Sequence, residues 1–543
     1  MIGRPARGRA EAIGALREHP VDVLVVGGGV IGAGIARDAT LRGLRVALVE
    51  RDDLASGTSS RPTRLIHGGL RYLEMFDFGL VRSDMRERET LLRIAPHLVA
   101  PLPFLLPLYK PSLFERFQLR LGMQLYDLLS FDKTLPRRRW LRRDRVLRAE
   151  PTIEPRGLKG AWRFYDAQVA HVERLVVENC LDAAARGAVV LTHAEVERFE
   201  RDGDGRVVGA SVHDLLDDAY FPLRAALVVN ATGPWLDRVN ANVRDGRRPL
   251  LRLTKGVHLV APRSIAHAHV LSARSDGRLF FVIPWNDFTL IGTTDTDYAG
   301  DPSAAAADER DVRYLVEEAR RAFPGAPLDR IHYTMAGVRA LAREEGVKEG
   351  DVSRKHELLD HAREGGSGLI SVVGGKITAY RAIAEEVTDL VCRKIGRTAP
   401  CVTASALLPG ARDGVDARAE AVDAGIESAS AEHLAHLYGG LARGVLDDVA
   451  RDPALAARLC AHAPTIAAEL VNAIDREWAR TCADALLRRT ALGLSSCQGL
   501  DCLETVTEVM ATRLGWSDGR REAEAARYRQ EIASMRRFRS LDG

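Results

Sequence analysis

Three glycines and one acid near the start of the chain have the spacing of a dinucleotide-binding site. Gly27, Gly29 and Gly32 form G-x-G-x-x-G, and Glu50 follows at the end of the next apolar run. Such glycines permit a tight turn, let backbone N–H groups approach a pyrophosphate and let a helix pack closely on a strand, while the acid accepts from the ribose hydroxyls. An acid here disfavours a 2′-phosphate, so NAD and FAD both remain open, and a plain glycine-rich turn is the alternative without a ligand.

The surrounding residues predict the elements that this site needs. Residues 21–26 (VDVLVV) predict a buried parallel strand, residues 33–39 a helix with small residues on one face, and residues 45–49 (RVALV) a second strand that ends at Glu50. The glycines therefore fall between a strand and a helix, as dinucleotide binding requires.

A segment dense in hydroxyls, glycine and arginine, residues 58–72, follows the second strand. Here the chain resembles the FAD-dependent glycerol-3-phosphate dehydrogenases, within the flavoproteins related to D-amino-acid oxidase. The matching stretches run in order over residues 21 to about 495, and include RLIHGGLRYLE (64–74), TKGVHLV (254–260), AGVRAL (336–341), GGKITAYR (374–381) and WARTCADALLRRT (478–490).

The resemblance implies an α/β protein whose Rossmann-type domain binds FAD non-covalently. It also implies an antiparallel β substrate-binding domain and an all-α C-terminal domain. His67 belongs by resemblance to the flavin's surroundings, with a capped loop histidine as the alternative. The residues implied for FAD are Gly27, Gly29, Gly32, Glu50, Thr58, Ser59, Ser60, His67, Gly68, Val196, Gly233, Gly374, Gly375, Lys376 and Thr378.

The resemblance further implies oxidation of sn-glycerol 3-phosphate to dihydroxyacetone phosphate, with hydride transfer from C2 to flavin N5. Arginine suits the phosphate, because its planar fork makes bidentate contacts. His258 is predicted as the base or as a hydrogen-bond partner of the substrate, and Lys376 is predicted beside flavin O2. The residues implied for substrate are Arg71, Tyr72, Arg339, Arg354 and His258, of which Arg339 alternatively holds the C2 oxygen; a surface salt bridge is the alternative for each arginine.

The length of 543 residues predicts several domains. Residues 1–19 predict a flexible arm, with a mitochondrial presequence as the alternative. Residues 20–400 predict a discontinuous FAD-binding domain into which a substrate sheet of about 250–335 is inserted, and residues 405–543 predict a helical domain. No metal site is predicted, since Cys482, Cys497 and Cys502 read as buried free thiols. A homodimer is compatible with the sequence.

Lys+Arg is 77 and Asp+Glu is 74, which argues against a nucleic-acid partner and against a disordered polyelectrolyte. No run predicts a transmembrane helix. Residues 101–146 combine apolar and basic side chains, as interfacial anchors do, although an amphipathic core helix with a solvated basic tail fits too. The side chains concerned are Phe114, Phe117, Leu121, Tyr126 and Leu129, with Arg116, Arg120, Arg137, Arg138, Arg139, Arg142 and Arg143.

We therefore expect a cytoplasmic protein on the inner face of the cytoplasmic membrane that passes electrons to a membrane quinone. A soluble oxidase that forms hydrogen peroxide is the alternative of the same fold. A catalytically silent FAD-fold protein is a third hypothesis, against which Arg71, His258, Arg339 and Lys376 argue.

Overall fold

The structure is a computed structural model that describes residues 8–69, 77–109, 113–244, 246–343, 355–412 and 414–538. It is a mixed α/β protein with two large sheets and a helical C-terminal region, which confirms the predicted fold class. The helices are Arg9–Glu18, Val30–Leu41, Phe78–Ile94, Leu113–Leu129, Arg143–Ala149, Val172–Ala184, Leu236–Val239, Glu309–Ala322, Tyr380–Lys394, Ala417–Asp423, Ser428–Tyr438, Ala442–Arg451, Ala467–Arg476, Leu503–Leu514 and Asp518–Met535, with a π-helix at Asp484–Arg489.

The first sheet has eight strands and is mainly parallel. Its path is Glu357–Asp360, Leu369–Val373, Ala219–Asn230, Val21–Val26, Val46–Val49 and Val189–Leu191, and the hairpin Ala194–Arg201 and Val207–Asp214 extends it from the start of Ala219–Asn230. Val23, Leu24 and Val25 are fully buried, because helices cover one face of this sheet, and the hairpin with the helix Arg9–Glu18 covers the other. Ligands bind at the carboxyl ends of such strands, where the turn at Gly27 lies.

The second sheet has ten strands and is mainly antiparallel. Its path is Thr296–Asp297, Leu251–Pro262, Phe288–Gly292, Leu279–Trp285, Ala268–Ser272, Val99–Tyr109, Leu158–Val169 and Leu65–Ile66, with Tyr333–Ala342 paired to Leu251–Pro262 and Arg139–Arg142 paired to Leu158–Val169. The substrate sheet predicted from residues 250–335 is therefore larger, since four of its strands come from residues 65–169.

The predicted flexible arm is wrong for residues 9–18, which form a helix. Ala12, Ile13 and Leu16 on one face of that helix are buried against the first sheet. Arg9 adds an ion pair, since its Nη2 lies 2.7 Å from Asp214 Oδ1. A short apolar face is enough to keep this Arg-rich segment helical, because the helix packs against the first sheet.

The interpretation of residues 101–146 as one interfacial segment is also corrected. Val99–Tyr109 is a strand of the second sheet. Tyr126 is buried and donates to Asp166 Oδ2 at 2.7 Å, so it packs inside the protein. Leu121, on the helix Leu113–Leu129, remains exposed. Throughout the described ranges, every helix is too short or too polar to cross a bilayer.

A buried ionic network joins the helical C-terminal region to the first sheet. Asp53 is fully buried and accepts from Arg489 at 2.6 and 2.8 Å and from Arg488 at 2.6 Å. Arg488 also donates to Asp484. Asp484 Oδ2 in turn lies 2.8 Å from His193 Nε2 and forms a hydrogen bond with it. The stretch WARTCADALLRRT thus contributes two buried cations that hold the loop after Glu50.

Candidate functional site

One cavity of about 430 Å³ extends from the Gly27 turn to the second sheet. Both sheets contribute to its wall. The predicted residues that line it are Gly27, Gly29, Glu50, Thr58, Ser59, His67, Val196, Gly233, His258, Arg339, Gly374, Gly375, Lys376 and Thr378. The structure therefore brings together most of the residues predicted for cofactor and substrate.

The glycine-rich turn has no space for side chains. Gly27 has φ +108°, and a Cβ there would lie 2.7 Å from Ala231 O. A Cβ on Gly32 would lie 1.9 Å from Gly27 O, so Gly32 acts in the packing of helix on strand and does not line the cavity. The first turn of the helix Val30–Leu41 can therefore approach a bound pyrophosphate closely.

Glu50 lies at the end of the cavity nearest this turn. Its carboxylate accepts from Gly28 N at 2.6 Å and from Asp52 N at 2.9 Å. Burial raises the pKa of Glu50 to about 7, although the two N–H donors oppose this shift. Hydroxyl donors of a ribose would further favour the carboxylate, because each would donate to the charged form.

The hydroxyls of the turn Thr58–Ser60 have different partners. Ser59 Oγ accepts from Val30 N at 3.0 Å, and Thr58 Oγ1 donates to Val338 O at 2.6 Å, which ties this turn to the second sheet. Ser60 Oγ donates to Ala55 O and points away from the cavity. Thr58 and Ser59 therefore remain candidates for cofactor contact, whereas Ser60 has a structural position.

Gly68 is predicted to contact the cofactor, but it does not line the cavity. A Cβ on Gly68 would lie 2.8 Å from Met85 Cγ and 2.9 Å from Tyr126 Oη, so this glycine permits close packing, and Gly69 lines the cavity instead. His67 does line it, and its backbone N–H donates to Thr378 Oγ1 at 3.2 Å.

Lys376 follows two glycines of positive φ, Gly374 (+73°) and Gly375 (+107°). Its Nζ lies 2.5 Å from Oδ2 of Asp84, a buried residue of the helix Phe78–Ile94. Burial raises the pKa of Asp84, and the ammonium of Lys376 opposes that shift. The ammonium therefore reaches the cavity wall while a buried acid holds it in place.

His258 lies on the strand Leu251–Pro262 and is almost fully buried. Its Nε2 is 3.0 Å from Thr63 Oγ1, while Nδ1 has no hydrogen-bond partner in the described part of the chain. Burial, with Arg339 and Arg64 nearby, lowers the pKa of His258 to about 3, so its imidazole is neutral at neutral pH. A Cβ on Gly292 would lie 2.4 Å from His258 Cδ2, so that glycine makes room for the ring.

Arg339 projects from the strand Tyr333–Ala342 into the cavity. Its Nη1 lies 2.9 Å from Asp295 Oδ1, and its Nη2 donates to Thr293 Oγ1 at 2.9 Å. A Cβ on Gly256 would lie 2.3 Å from Nη2. The glycine of TKGVHLV therefore leaves the space that the guanidinium occupies.

Three predicted substrate residues, Arg71, Tyr72 and Arg354, lie outside the described residues. Their assignment stays a prediction.

Two partners of the site residues were missed from the sequence. Thr63 contacts His258, and Asp84 holds Lys376. Asp84 carried a usable signal, because it shares the apolar helix face of Val81 and Met85. A charged residue on such a face needs a buried partner.

Known proteins define the class to which this fold and cavity belong. Residues 22–381 match the sequence profile of FAD-dependent oxidoreductases, and residues 401–521 match that of the C-terminal domain of alpha-glycerophosphate oxidase. The fold and site are thus those of an FAD-dependent oxidoreductase.

Full-length relatives narrow this class. The chain is 39% identical to a glycerol-3-phosphate dehydrogenase of Synechocystis sp., over 94% of this chain and 96% of that protein. It is 39% identical to glycerol-3-phosphate dehydrogenase 2 of Mycobacterium tuberculosis, over 96% and 90%. The X-ray structure of the glycerol-3-phosphate dehydrogenase from Bacillus halodurans complexed with FAD matches with a TM-score of 0.80 and 30% identity over 98% of each chain. The chain therefore belongs to the FAD-dependent glycerol-3-phosphate dehydrogenase family.

The cavity of this chain fits the FAD that its family binds. The crowded glycines at Gly27 and Gly32 leave the backbone free for a pyrophosphate, and Glu50 lies where a ribose would follow. Val196 and Gly233 line the same wall. We expect Gly374, Gly375, Lys376 and Thr378 to hold the isoalloxazine ring.

The low pKa of His258 predicts a pH-dependent stability. The folded protein keeps this histidine neutral, whereas the unfolded chain protonates it below its ordinary pKa. The fold is therefore most stable above that ordinary pKa, and its stability decreases as the pH falls below it. Between pH 7 and pH 5 the free energy of unfolding of the wild type should therefore decrease by about 2 kcal/mol through His258, since only the unfolded chain takes up the proton. His258→Gln keeps a partner for Thr63 and removes the titration, so its melting temperature should fall less over this range.

A wild type and a His258→Gln protein whose melting temperatures fall in parallel would contradict the buried neutral imidazole. His213→Gln is the control, because His213 is partly exposed beside Asp218 on the other sheet. Its melting profile should follow that of the wild type.

Proposed function

We propose that this protein oxidises sn-glycerol 3-phosphate to dihydroxyacetone phosphate with non-covalent FAD and passes the electrons to a membrane quinone. The observation that supports this substrate is that the Arg339 guanidinium and the neutral imidazole of His258 line the same cavity, near enough for the charge of Arg339 to lower the pKa of His258. A planar cation suits a phosphate or a developing alkoxide, and a neutral imidazole accepts an alcohol proton. The names of the full-length relatives support the same substrate.

Each residue has a defined part in this reaction. Bound FAD would supply the hydride acceptor for C2, held by Gly374, Gly375 and Thr378. His258 takes the proton of the C2 hydroxyl, and Thr63 Oγ1, 3.0 Å from its Nε2, orients the ring. A phosphate dianion beside Arg339 offsets the positive charge that disfavours imidazolium, so substrate raises the proton affinity of His258 where it is needed.

Lys376 supplies a further positive charge at the cavity. Asp84 fixes the position of its ammonium, so that this charge faces the cavity without rearrangement. Arg71 and Arg354 complete the phosphate pocket in this proposal, with Tyr72 as a hydroxyl donor.

The experiment that tests the function is anaerobic reduction of the purified flavoprotein by glycerol 3-phosphate, followed in the flavin absorbance. Rapid bleaching, reversed by a quinone analogue and only slowly by air, would support the quinone-linked dehydrogenase. Fast reoxidation in air with stoichiometric peroxide would favour the oxidase. A fully flavinated protein that does not bleach would overturn the substrate.

An exposed apolar surface supports membrane contact. Leu121 is 54%, Leu128 67% and Phe131 73% exposed, and the two leucines are seven residues apart on one face of the helix Leu113–Leu129. Arg82 stacks over Phe131, 4.6 Å from its ring centroid. Arg82 is itself paired with Asp132 at 2.6 Å, so the proposed interfacial position depends on the apolar side chains. We propose that this surface lies on the inner face of the cytoplasmic membrane.

The paired substitution of Leu128→Asp with Phe131→Asp tests this contact. Loss of two inserted apolar side chains and gain of two negative charges should weaken binding to anionic vesicles by at least about tenfold. Co-sedimentation with phosphatidylglycerol-containing vesicles measures the effect. Leu215→Asp is the control, because Leu215 is exposed in the turn that follows the strand Val207–Asp214 of the first sheet. Equal vesicle binding by all three proteins would remove this surface from the proposal.

A further inference from the structure

Two short loops of the helical region bring sulfur, carboxylate and imidazole groups together. Cys460 Sγ and Cys497 Sγ lie 3.4 Å apart. Asp501 joins them, since one ligand atom from each of the three residues lies within 4.8 Å of the others. His462 Nε2 is 3.0 Å from Asp501 Oδ2 but lies outside that group of three, so a rotation of its exposed side chain is needed to bring it to the sulfurs. The four residues form two pairs, C-x-H at 460–462 and C-x₃-D at 497–501.

The sulfur–sulfur distance is closer to that of a shared metal ion than to that of a disulfide. A disulfide bond measures about 2.05 Å. Two thiolates bound to one tetrahedral zinc ion, each at about 2.3 Å, lie about 3.8 Å apart. The 3.4 Å between Cys460 and Cys497 therefore needs a small opening to admit the ion.

The loop that carries Cys460 is already shaped by its own backbone. Leu459 N donates to Thr465 O at 3.0 Å, and Ala467 N donates to Ala457 O at 2.9 Å, which closes the loop. His462 N lies 3.4 Å from Cys460 Sγ and donates to it. An N–H donor stabilises a thiolate and orients it, as outer hydrogen bonds do at metal sites.

The cluster is also open to solvent on one side. Cys460 is buried and Cys497 is half-buried, whereas the side chains of Asp501 and His462 are 56% and 49% exposed. An ion can therefore enter past the carboxylate and imidazole and reach the sulfurs below. The sequence alone did not reveal this cluster, since Cys460 lies 37 residues before Cys497 in the chain.

We propose that Cys460, Cys497, Asp501 and His462 bind one zinc ion. Two thiolates favour a soft or borderline metal, and their combination with imidazole and carboxylate in four-coordination is typical of zinc. Four protein ligands leave no open position, so the site is structural. It joins the Cys460 loop to the loop of Cys497, whose neighbour Leu494 accepts from Tyr333 Oη of the second sheet at 2.7 Å. Zinc thus cross-links two loops of the helical region, one of which is held to the second sheet through Leu494.

The full-length flavoprotein, purified with a reductant, incubated with zinc and desalted, tests the proposal. Metal analysis should give about one zinc per chain. Cobalt substitution should give tetrahedral ligand-field bands and a thiolate-to-cobalt charge-transfer band. Cys460→Ser and Cys497→Ser should each weaken metal binding by at least about 100-fold. Cys401→Ser is the matched control, because Cys401 is a half-buried free thiol beside Thr403, remote from the cluster.

Wild-type protein with a full complement of flavin and no bound zinc or cobalt would overturn the site, even if a serine variant failed to fold. An intact mass that lacks two hydrogens, without a cobalt charge-transfer band, would overturn it in favour of a Cys460–Cys497 disulfide. Zinc retained by both serine variants would place the ion elsewhere. Chelation that lowers the melting temperature of the wild type, but not that of the serine variants, would support a structural ion here.

Discussion

Arg339→Ala should lose about 2–4 kcal/mol of transition-state stabilisation, or about 30- to 1000-fold in kcat/KM for glycerol 3-phosphate. The guanidinium of Arg339 lines the cavity near His258. It forms an ion pair with Asp295 and also faces the space available to an anionic substrate. Its removal also leaves Asp295, a buried acid, to repel the phosphate. Anaerobic flavin reduction at varied substrate concentration measures the loss directly.

Two matched variants sharpen this test. Arg339→Lys keeps the charge but not the fork, so it should recover part of the activity. Arg343→Ala removes an exposed arginine just beyond the same strand and should behave as wild type. Unchanged kinetics in a fully flavinated Arg339→Ala protein would remove this residue from the site.

The dinucleotide-binding half of the site could be predicted because its signals are local. Gly27, Gly32 and Glu50 lie within one strand–turn–helix–strand unit, and the structure shows the steric reasons for both glycines. The resemblance then located His258, Arg339 and Lys376, which the fold places along the same cavity.

The helix pattern marks Asp84 as a buried charge, but the pairing of the site residues with their buried partners could not be predicted, because contacts over long sequence distances leave no local pattern. Asp84 and Lys376 are 292 residues apart, and Thr63 and His258 are 195 apart. Cys460 and Cys497 belong to the same class of contact.

The strand Val99–Tyr109 shows a different failure. Its three prolines, Pro101, Pro103 and Pro107, argue against a central strand. The three prolines are even numbers of residues apart, however, so their nitrogens point to one side of the strand, away from Leu158–Val169. On that side the neighbouring strand Ala268–Ser272 pairs at two positions only. A partly unpaired edge tolerates the missing N–H groups.

Asp53→Ala should destabilise the protein by about 3–5 kcal/mol, because it leaves the guanidiniums of Arg488 and Arg489 buried without their shared carboxylate. Asp53 lies three residues after Glu50, and Asp484 of the same network holds His193 beside the strand Ala194–Arg201. Loosening of this network should therefore release FAD as well. Flavin fluorescence and circular dichroism during heating would show both effects, with flavin release at a lower temperature than in the wild type.

The adjacent residue provides the control. Asp52 makes a half-exposed ion pair with Arg51 at 3.2 Å, and such pairs contribute about 0–1 kcal/mol. Asp52→Ala should therefore melt close to the wild type, whereas Asp53→Asn, which keeps the shape but not the charge, should lie between the control and Asp53→Ala. Equal melting of Asp52→Ala and Asp53→Ala would mean that the helical region is held to the FAD-binding sheet by apolar packing alone. In that case the paired arginines of the stretch 478–490 would need another explanation.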